Sequence, residues 1–250
     1  MPTRYRNEPI YTAAIGAGRA LFGLLGVKRK VIGLENLPAE GGAVMAITHF
    51  GYLEFALVEW VTWLHNRRRI RFMAKKGAFR GWPLGAMMRN MKHISVDRDA
   101  GAHAYDEAIA ALQRGELVGV FPEGTISQSF EVQRLKSGAV RLAAEAGVPI
   151  IPVAVWGGHR ILTKGGKSRL RDRFGTAVHF SFGAPISVLP EDEPLAATDR
   201  LKATLQTMTD ALQSDYPVDG RDQWWHPSRR DGAAPSGDAI EREARRTRLA

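Results

Sequence analysis

Apolar and polar positions along this chain switch between two periods, and the switches divide it into elements. Residues 10–27 (IYTAAIGAGRALFGLLGV) form the longest apolar stretch, broken by one charge, Arg19, and four glycines. That pattern predicts an amphipathic helix. A bilayer span needs about 20 uninterrupted apolar residues. Residues 31–33 read as a short strand. Residues 43–47 (AVMAI) are a compact apolar run fit for a buried strand. Residues 54–64 (EFALVEWVTWL) have helical spacing, and 70–74 return to a strand pattern. A Gly- and Pro-marked helical pair is expected between Gly77 and Gly85, then a strand at 93–96. Residues 102–112 (AHAYDEAIAAL) are amphipathic at helical spacing and end at Gly115. Strands at 117–121, 150–155 and 178–182 and helices at 137–146 and 197–213 complete the pattern.

Strands separated by helices predict an α/β fold, a mixed but mostly parallel sheet flanked by helices. The division expected is an N-terminal membrane-associating helix (1–28), one catalytic domain (29–218) and a C-terminal tail (219–250) of different composition. In such sheets ligands lie beyond the carboxyl ends of the strands. His49 follows the 43–47 strand and Glu123 follows the 117–121 strand, so two ionisable residues fall at that edge.

Composition narrows the chemistry. The chain has no cysteine, which removes disulfides, thiolate metal sites and cysteine nucleophiles. Lys and Arg number 35 against 26 Asp and Glu, a net charge of +9, so the partners to consider carry phosphate: nucleic acid, an anionic membrane or a small phosphorylated substrate. The basic residues are scattered and no nucleic-acid-binding pattern is found, so no nucleic acid is expected. The seven histidines include no HExxH and no close pair, so no metal is expected either. No secretory cleavage site follows the first helix, and Lys28, Arg29 and Lys30 stand there instead.

Four stretches carry candidate chemistry. In THFGYLEF (48–55), Glu54 lies five residues after His49. A carboxylate on one ring nitrogen fixes the tautomer and raises basicity at the other, as removing a proton from an alcohol requires. In FPEGTISQ (121–128), Pro122 stops the strand and Gly124 permits a tight turn. That turn offers backbone N–H groups and the hydroxyls of Thr125 and Ser127 to phosphate. AKKGAFRGWPLG (74–85), running on to ISVDRDAG (94–101), sets Lys75, Lys76, Arg80 and Arg98 beside apolar Phe79, Trp82, Leu84 and Met87. An amphiphile with a phosphate head would find both halves there. GVPIIPVAVWGG (147–158) is a buried strand bounded by prolines.

Taken in this order, the four stretches resemble the glycerolipid acyltransferase family, whose marks are His-x4-Asp, a Lys-rich Pro-Gly block ending in Arg, Phe-Pro-Glu-Gly-Thr, and Val-Pro-Ile-x-Pro-Val. The resemblance covers roughly residues 30–190. It implies a glycerol-3-phosphate acyltransferase-like fold and transfer of a fatty acyl chain to a hydroxyl of a glycerol phosphate acceptor, such as lysophosphatidate or glycerol 3-phosphate. The donor would be acyl-CoA or acyl carrier protein, a co-substrate, with no cofactor. By position, His49 corresponds to the base and Glu54 to the orienting carboxylate. Glu123, Gly124, Thr125, Arg98 and Lys136 correspond to the acceptor phosphate site, with Lys75 and Lys76 as its basic lip. The implied setting is peripheral, on an anionic membrane surface at its cytoplasmic face. Two departures stand out. The family aspartate is Glu54 here, one methylene longer. Ile126 stands where an arginine commonly follows FPEGT, which leaves the acceptor open, with Arg98, Arg134, Lys136 and Arg160 as alternative phosphate partners. Two other readings remain: a thioesterase in which the His49–Glu54 pair activates water, and a non-catalytic basic protein that binds membrane or nucleic acid.

Overall fold

The computed structural model describes residues 8–97, 101–240 and 242. Seven strands form one sheet: β1 (Lys28–Ile32), β2 (Ala43–Ile47), β3 (Ile70–Lys75), β4 (Ile94–Val96), β5 (Leu117–Val120), β6 (Ile150–Trp156) and β7 (Ala177–Phe182), in the spatial order β1-β7-β6-β2-β5-β3-β4. β6, β2, β5, β3 and β4 run parallel. β7 is antiparallel to β6, and β1 is parallel to β7. The carboxyl ends of five strands therefore share one edge.

The helices α1 (Pro9–Leu24), α2 (Glu54–Asn66), α3 (Ala86–Asn90), α4 (Gly101–Gln113), α5 (Gly138–Ala146) and α6 (Pro194–Ser214) cover the two faces. Alternation along β2 shows how. Val44 and Ala46 join the core with residues of α4, α5 and α6, whereas Ala43, Met45 and Ile47 point the other way, to α2 and Phe22 of α1. Every residue of β2 and β6 is buried, which is why their sequences read as unbroken apolar runs.

Two elements differ from the sequence reading. β1 begins at Lys28, so Lys28, Arg29 and Lys30 belong to an edge strand. Lys30 pairs with Asp215 at 2.7 Å and the Arg29 guanidinium lies over Trp60 at 4.9 Å. The expected helical pair after β3 condenses into two short turns and the five-residue α3. Trp225 and His226 pack inward, His226 on Trp156 and Trp225 on Tyr216, which gives the tail an apolar anchor. α1 buries Tyr11, Ile15 and Phe22 and leaves Ile10, Leu21 and Leu24 exposed. Among the described residues, no helix is long and apolar enough to cross a membrane.

Candidate active site

The chain leaves the sheet after Ile47. The Thr48 N–H still donates to the Val153 carbonyl, and the Thr48 hydroxyl accepts from the Val155 N–H at 3.1 Å. His49 is the first residue beyond these ladder bonds. Its imidazole stacks on Phe121, which ends the neighbouring β5, with ring centres 4.2 Å apart. Nδ1 faces Oε2 of Glu54 at 3.5 Å, and neither atom has a hydrogen-bond partner. This approach exceeds normal hydrogen-bond length, and such contacts in ligand-free sites commonly tighten on binding. Glu54 is 1% exposed and opens α2, where the positive end of the helix dipole favours a carboxylate. Nδ1 is buried, while 20% of the His49 side chain remains exposed.

Glu123 is buried beside this pair. Oε1 accepts the His49 N–H at 2.8 Å and Oε2 accepts the Gln133 N–H at 3.2 Å. The carboxyl thus ties the His49 loop to the loop after FPEGT. Burial pushes its pKa up to about 8; the two N–H bonds pull against that shift and the Glu54 charge adds to it. In this geometry Glu123 positions backbone, and the solvent-facing parts of the turn are its neighbours.

Gly124 has φ +70, a conformation that L side chains rarely adopt. A Cβ there would also stand 3.1 Å from Nζ of Lys136, so the lysine head lies over the turn. The Lys136 N–H donates to the Pro122 carbonyl at 2.9 Å, which fixes the approach. Thr125 is exposed. The hydroxyl of Ser127, expected to face phosphate, is fully buried and donates to the Glu131 carbonyl at 2.7 Å. It braces the loop because the chain turns back within four residues and needs a donor inside.

Lys75 ends β3 and is exposed. The order β2-β5-β3 sets it two strand spacings from β2, roughly 10 Å. Lys76 is held by Asp97 at 2.7 Å. Arg98 lies outside the described residues. Arg160 donates to the Tyr216 hydroxyl at 3.0 Å and lies over Trp225, which commits it to the far side of β6. Arg134 is exposed on the same loop as Lys136. Two contributors escaped the sequence reading: Phe121 as the stacking floor of His49, and the Gln133 N–H. Phe121 stood inside a quoted motif, but a backbone donor leaves no trace in residue type. A separate cavity of about 480 Å³ lies between α1, β1 and α2, lined by Arg19, Arg29 and Trp60, and His49 does not border it.

The arrangement is a base with a buried carboxylate behind it, an apolar floor beneath it and cations on adjoining strand ends. A model of the family described as Acyltransferase matches residues 28–156, and the chain belongs to that family of O-acyltransferases. A 1-acyl-sn-glycerol-3-phosphate acyltransferase of Bacillus subtilis (strain 168) is 34% identical over 187 residues, 73% of this chain and 89% of that protein. The chloroplastic 1-acyl-sn-glycerol-3-phosphate acyltransferase LPAT1 of Arabidopsis thaliana is 29% identical over 57% of this chain, and the match spans 40% of its own length. Among solved structures, the 1-acyl-sn-glycerophosphate acyltransferase PlsC of Thermotoga maritima aligns with a TM-score of 0.69 at 21% identity, over 86% of each chain, a likeness of fold.

Proposed function

We propose that this enzyme acylates the free hydroxyl of lysophosphatidate in phospholipid synthesis, with a long-chain acyl thioester as donor and His49 as base. The observation that carries the reading is the His49–Glu54 pair: two facing atoms 3.5 Å apart with no hydrogen-bond partner, at the strand edge where Lys75 and Lys136 stand. The activity printed for the Bacillus subtilis relative, which this chain covers over 89% of its length, supports the choice of acceptor.

In this mechanism Nε2 of His49 takes the acceptor proton as the hydroxyl oxygen attacks the thioester carbonyl. Glu54 holds the ring by Nδ1–H and stabilises the imidazolium that forms. The C–S bond then breaks, and the imidazolium returns its proton to the leaving thiolate. No residue is acylated and no cofactor is required. Lys136, Lys75 and, from outside the described residues, Arg98 neutralise the acceptor phosphate, a task that Ile126 cannot perform. Because the acceptor is a lipid, the enzyme works peripherally at an anionic membrane, at its cytoplasmic face. The donor is acyl-CoA or acylated carrier protein.

The test mixes purified protein with labelled palmitoyl-CoA and either lysophosphatidate or glycerol 3-phosphate, beside His49→Ala. Phosphatidate formed from lysophosphatidate and lost in the variant is the expected result. Product only from glycerol 3-phosphate would move the acceptor. Release of free fatty acid alone would make the enzyme a thioesterase.

A further inference from the structure

The loop from β6 to β7 has no part in the site just described, yet it starts at the same sheet edge. Residues 162–174 read LTKGGKSRLRDRF, with five basic residues and one acid. Asp172 pairs with Arg171 at 3.6 Å. Lys164, Lys167 and Arg169 are exposed and have no carboxylate partner among the described residues. Three apolar side chains stand out among them: Leu162 is 40% exposed, Leu170 70% and Phe174 51%. Exposed leucine and phenylalanine set between unpaired cations are costly in water and have one natural solvent, an anionic lipid surface.

The loop is built against its surroundings. The Gly175 N–H donates to the Leu25 carbonyl at 2.8 Å, which brings Phe174 alongside the end of α1, where Leu24 is 76% exposed. At the other end, the Thr163 hydroxyl donates to the Phe50 carbonyl at 2.5 Å and the Tyr52 N–H donates to the Leu162 carbonyl at 3.0 Å. Phe50 and Tyr52 lie between His49 and Glu54. Gly51, also between them, has no room for a side chain: a Cβ would sit 2.7 Å from the Leu162 carbonyl oxygen. A surface fixed to this loop is fixed to the catalytic pair.

We propose that residues 162–174, continued by Leu24 of α1, form a docking surface for an anionic bilayer and hold the His49 side of the site against it. The proposal rests on the reading above that the acceptor is a lipid. It puts docking on an element other than the Lys28–Lys30 run, of which Lys30 is neutralised by Asp215.

The full chain is mixed with vesicles of phosphatidylcholine containing phosphatidylglycerol and, separately, of phosphatidylcholine alone, and bound protein is measured by sedimentation. The variants are Leu170→Asp with Phe174→Asp, and Lys164→Ala with Lys167→Ala and Arg169→Ala. Each basic residue near an anionic leaflet strengthens partition roughly five-fold, so the triple change is expected to weaken binding to the anionic vesicles on the order of 100-fold. The aspartate pair is expected to cost on the order of 10-fold or more. Both variants should keep the unaltered chain's thermal midpoint and its transfer rate with detergent-dispersed lysophosphatidate, while transfer to vesicle-borne acceptor falls. Unchanged vesicle binding in both variants, or equal binding of the unaltered chain to both vesicle types, overturns the proposal. So does loss of binding to an acidic acyl carrier protein with vesicle binding intact. If the unaltered chain transfers no acyl group even in detergent, the function reading fails, whereas vesicle binding still tests the surface.

Discussion

The two edges of the sheet treat their charges in opposite ways. At the amino edge Glu8, Arg69, Arg71 and Glu116 answer one another in ion pairs. Arg71, 2% exposed in its side chain, bonds Glu8 at 2.8 Å and Glu116 at 3.0 Å, and Arg69 bonds Glu8 at 3.0 Å. Burial alone would raise the Glu8 carboxyl, but the hydrogen bonds and charges of Arg71 and Lys92 hold it at about 2. At the carboxyl edge, His49 Nδ1 and Glu54 Oε2 have no hydrogen-bond partner, Lys75 and Lys136 have no carboxylate partner among the described residues, and Glu123 is held by N–H groups. A network whose members are all satisfied rigidifies, while groups left unsatisfied are available to a ligand. The amino edge fastens α1 to the sheet. On the proposed function, the carboxyl edge keeps its polar groups for substrate.

The comparison breaks most sharply at His49. His49→Ala is expected to lower kcat by about 10²–10⁴-fold with the thermal midpoint little changed, because in the proposed mechanism the imidazole contributes general-base chemistry and little burial. A thermal midpoint that fell with activity would place His49 among the structural residues. Arg71→Ala should do the reverse. Removing one partner of a buried ion pair costs about 3–5 kcal/mol, since the other charge stays buried. Chemical denaturation should show that loss, and the Michaelis constant of the remaining folded enzyme should be unchanged.

The catalytic edge was easier to read from sequence than the structural one. His49, Glu54 and the FPEGT turn sit in two short local motifs, each following an apolar strand, so their order and spacing implied both fold and chemistry. The Glu8–Arg69–Arg71–Glu116 network joins residues up to 108 positions apart, and no local pattern ties them. β1 was placed three residues late because Lys28, Arg29 and Lys30 look unlike a strand. An edge strand points such side chains to water and takes its ladder bonds from β7 alone. The docking surface proposed for 162–174 was invisible in the sequence because exposure, not composition, distinguishes its Leu170 and Phe174 from core residues.

A smaller effect sharpens the contrast between paired and unpaired lysines. Lys136→Ala should raise the Michaelis constant for lysophosphatidate roughly 10-fold, as expected for one charge-assisted hydrogen bond to phosphate, with kcat close to normal. Lys76, already paired with Asp97, should show a weaker effect in the same assay. Equal effects for the two lysines would mean that the Asp97 pair opens on binding.

The slightest effect at any one pH concerns Glu123, which distinguishes a positioning carboxyl from a charged one. Its pKa in the folded protein is about 8, against a carboxyl value near 4.5 when unfolded. Between those values the folded state holds a proton that the unfolded chain has lost. Its contribution to stability is therefore complete below about 4.5 and is lost as pH rises toward 8. Glu59, buried under α1 and also raised to about 8 mainly by burial, acts in the same direction, whereas His93 and His159, lowered by burial to about 4 and about 3, oppose both below about 6.5, so the unaltered protein should lose stability most clearly between about 6.5 and 8. One group contributes at most about 1.4 kcal/mol per pH unit. Glu123→Gln removes one of the two titrations. It keeps an oxygen to accept the His49 N–H but loses the acceptor for Gln133, so it should be less stable at pH 5 and show a shallower decline from about pH 6.5 to 8. Denaturant midpoints taken at intervals of pH measure both quantities. A slope identical to that of the unaltered protein would mean that Glu123 is ionised in the fold, and the strut between the His49 loop and the FPEGT loop would then be a charged one.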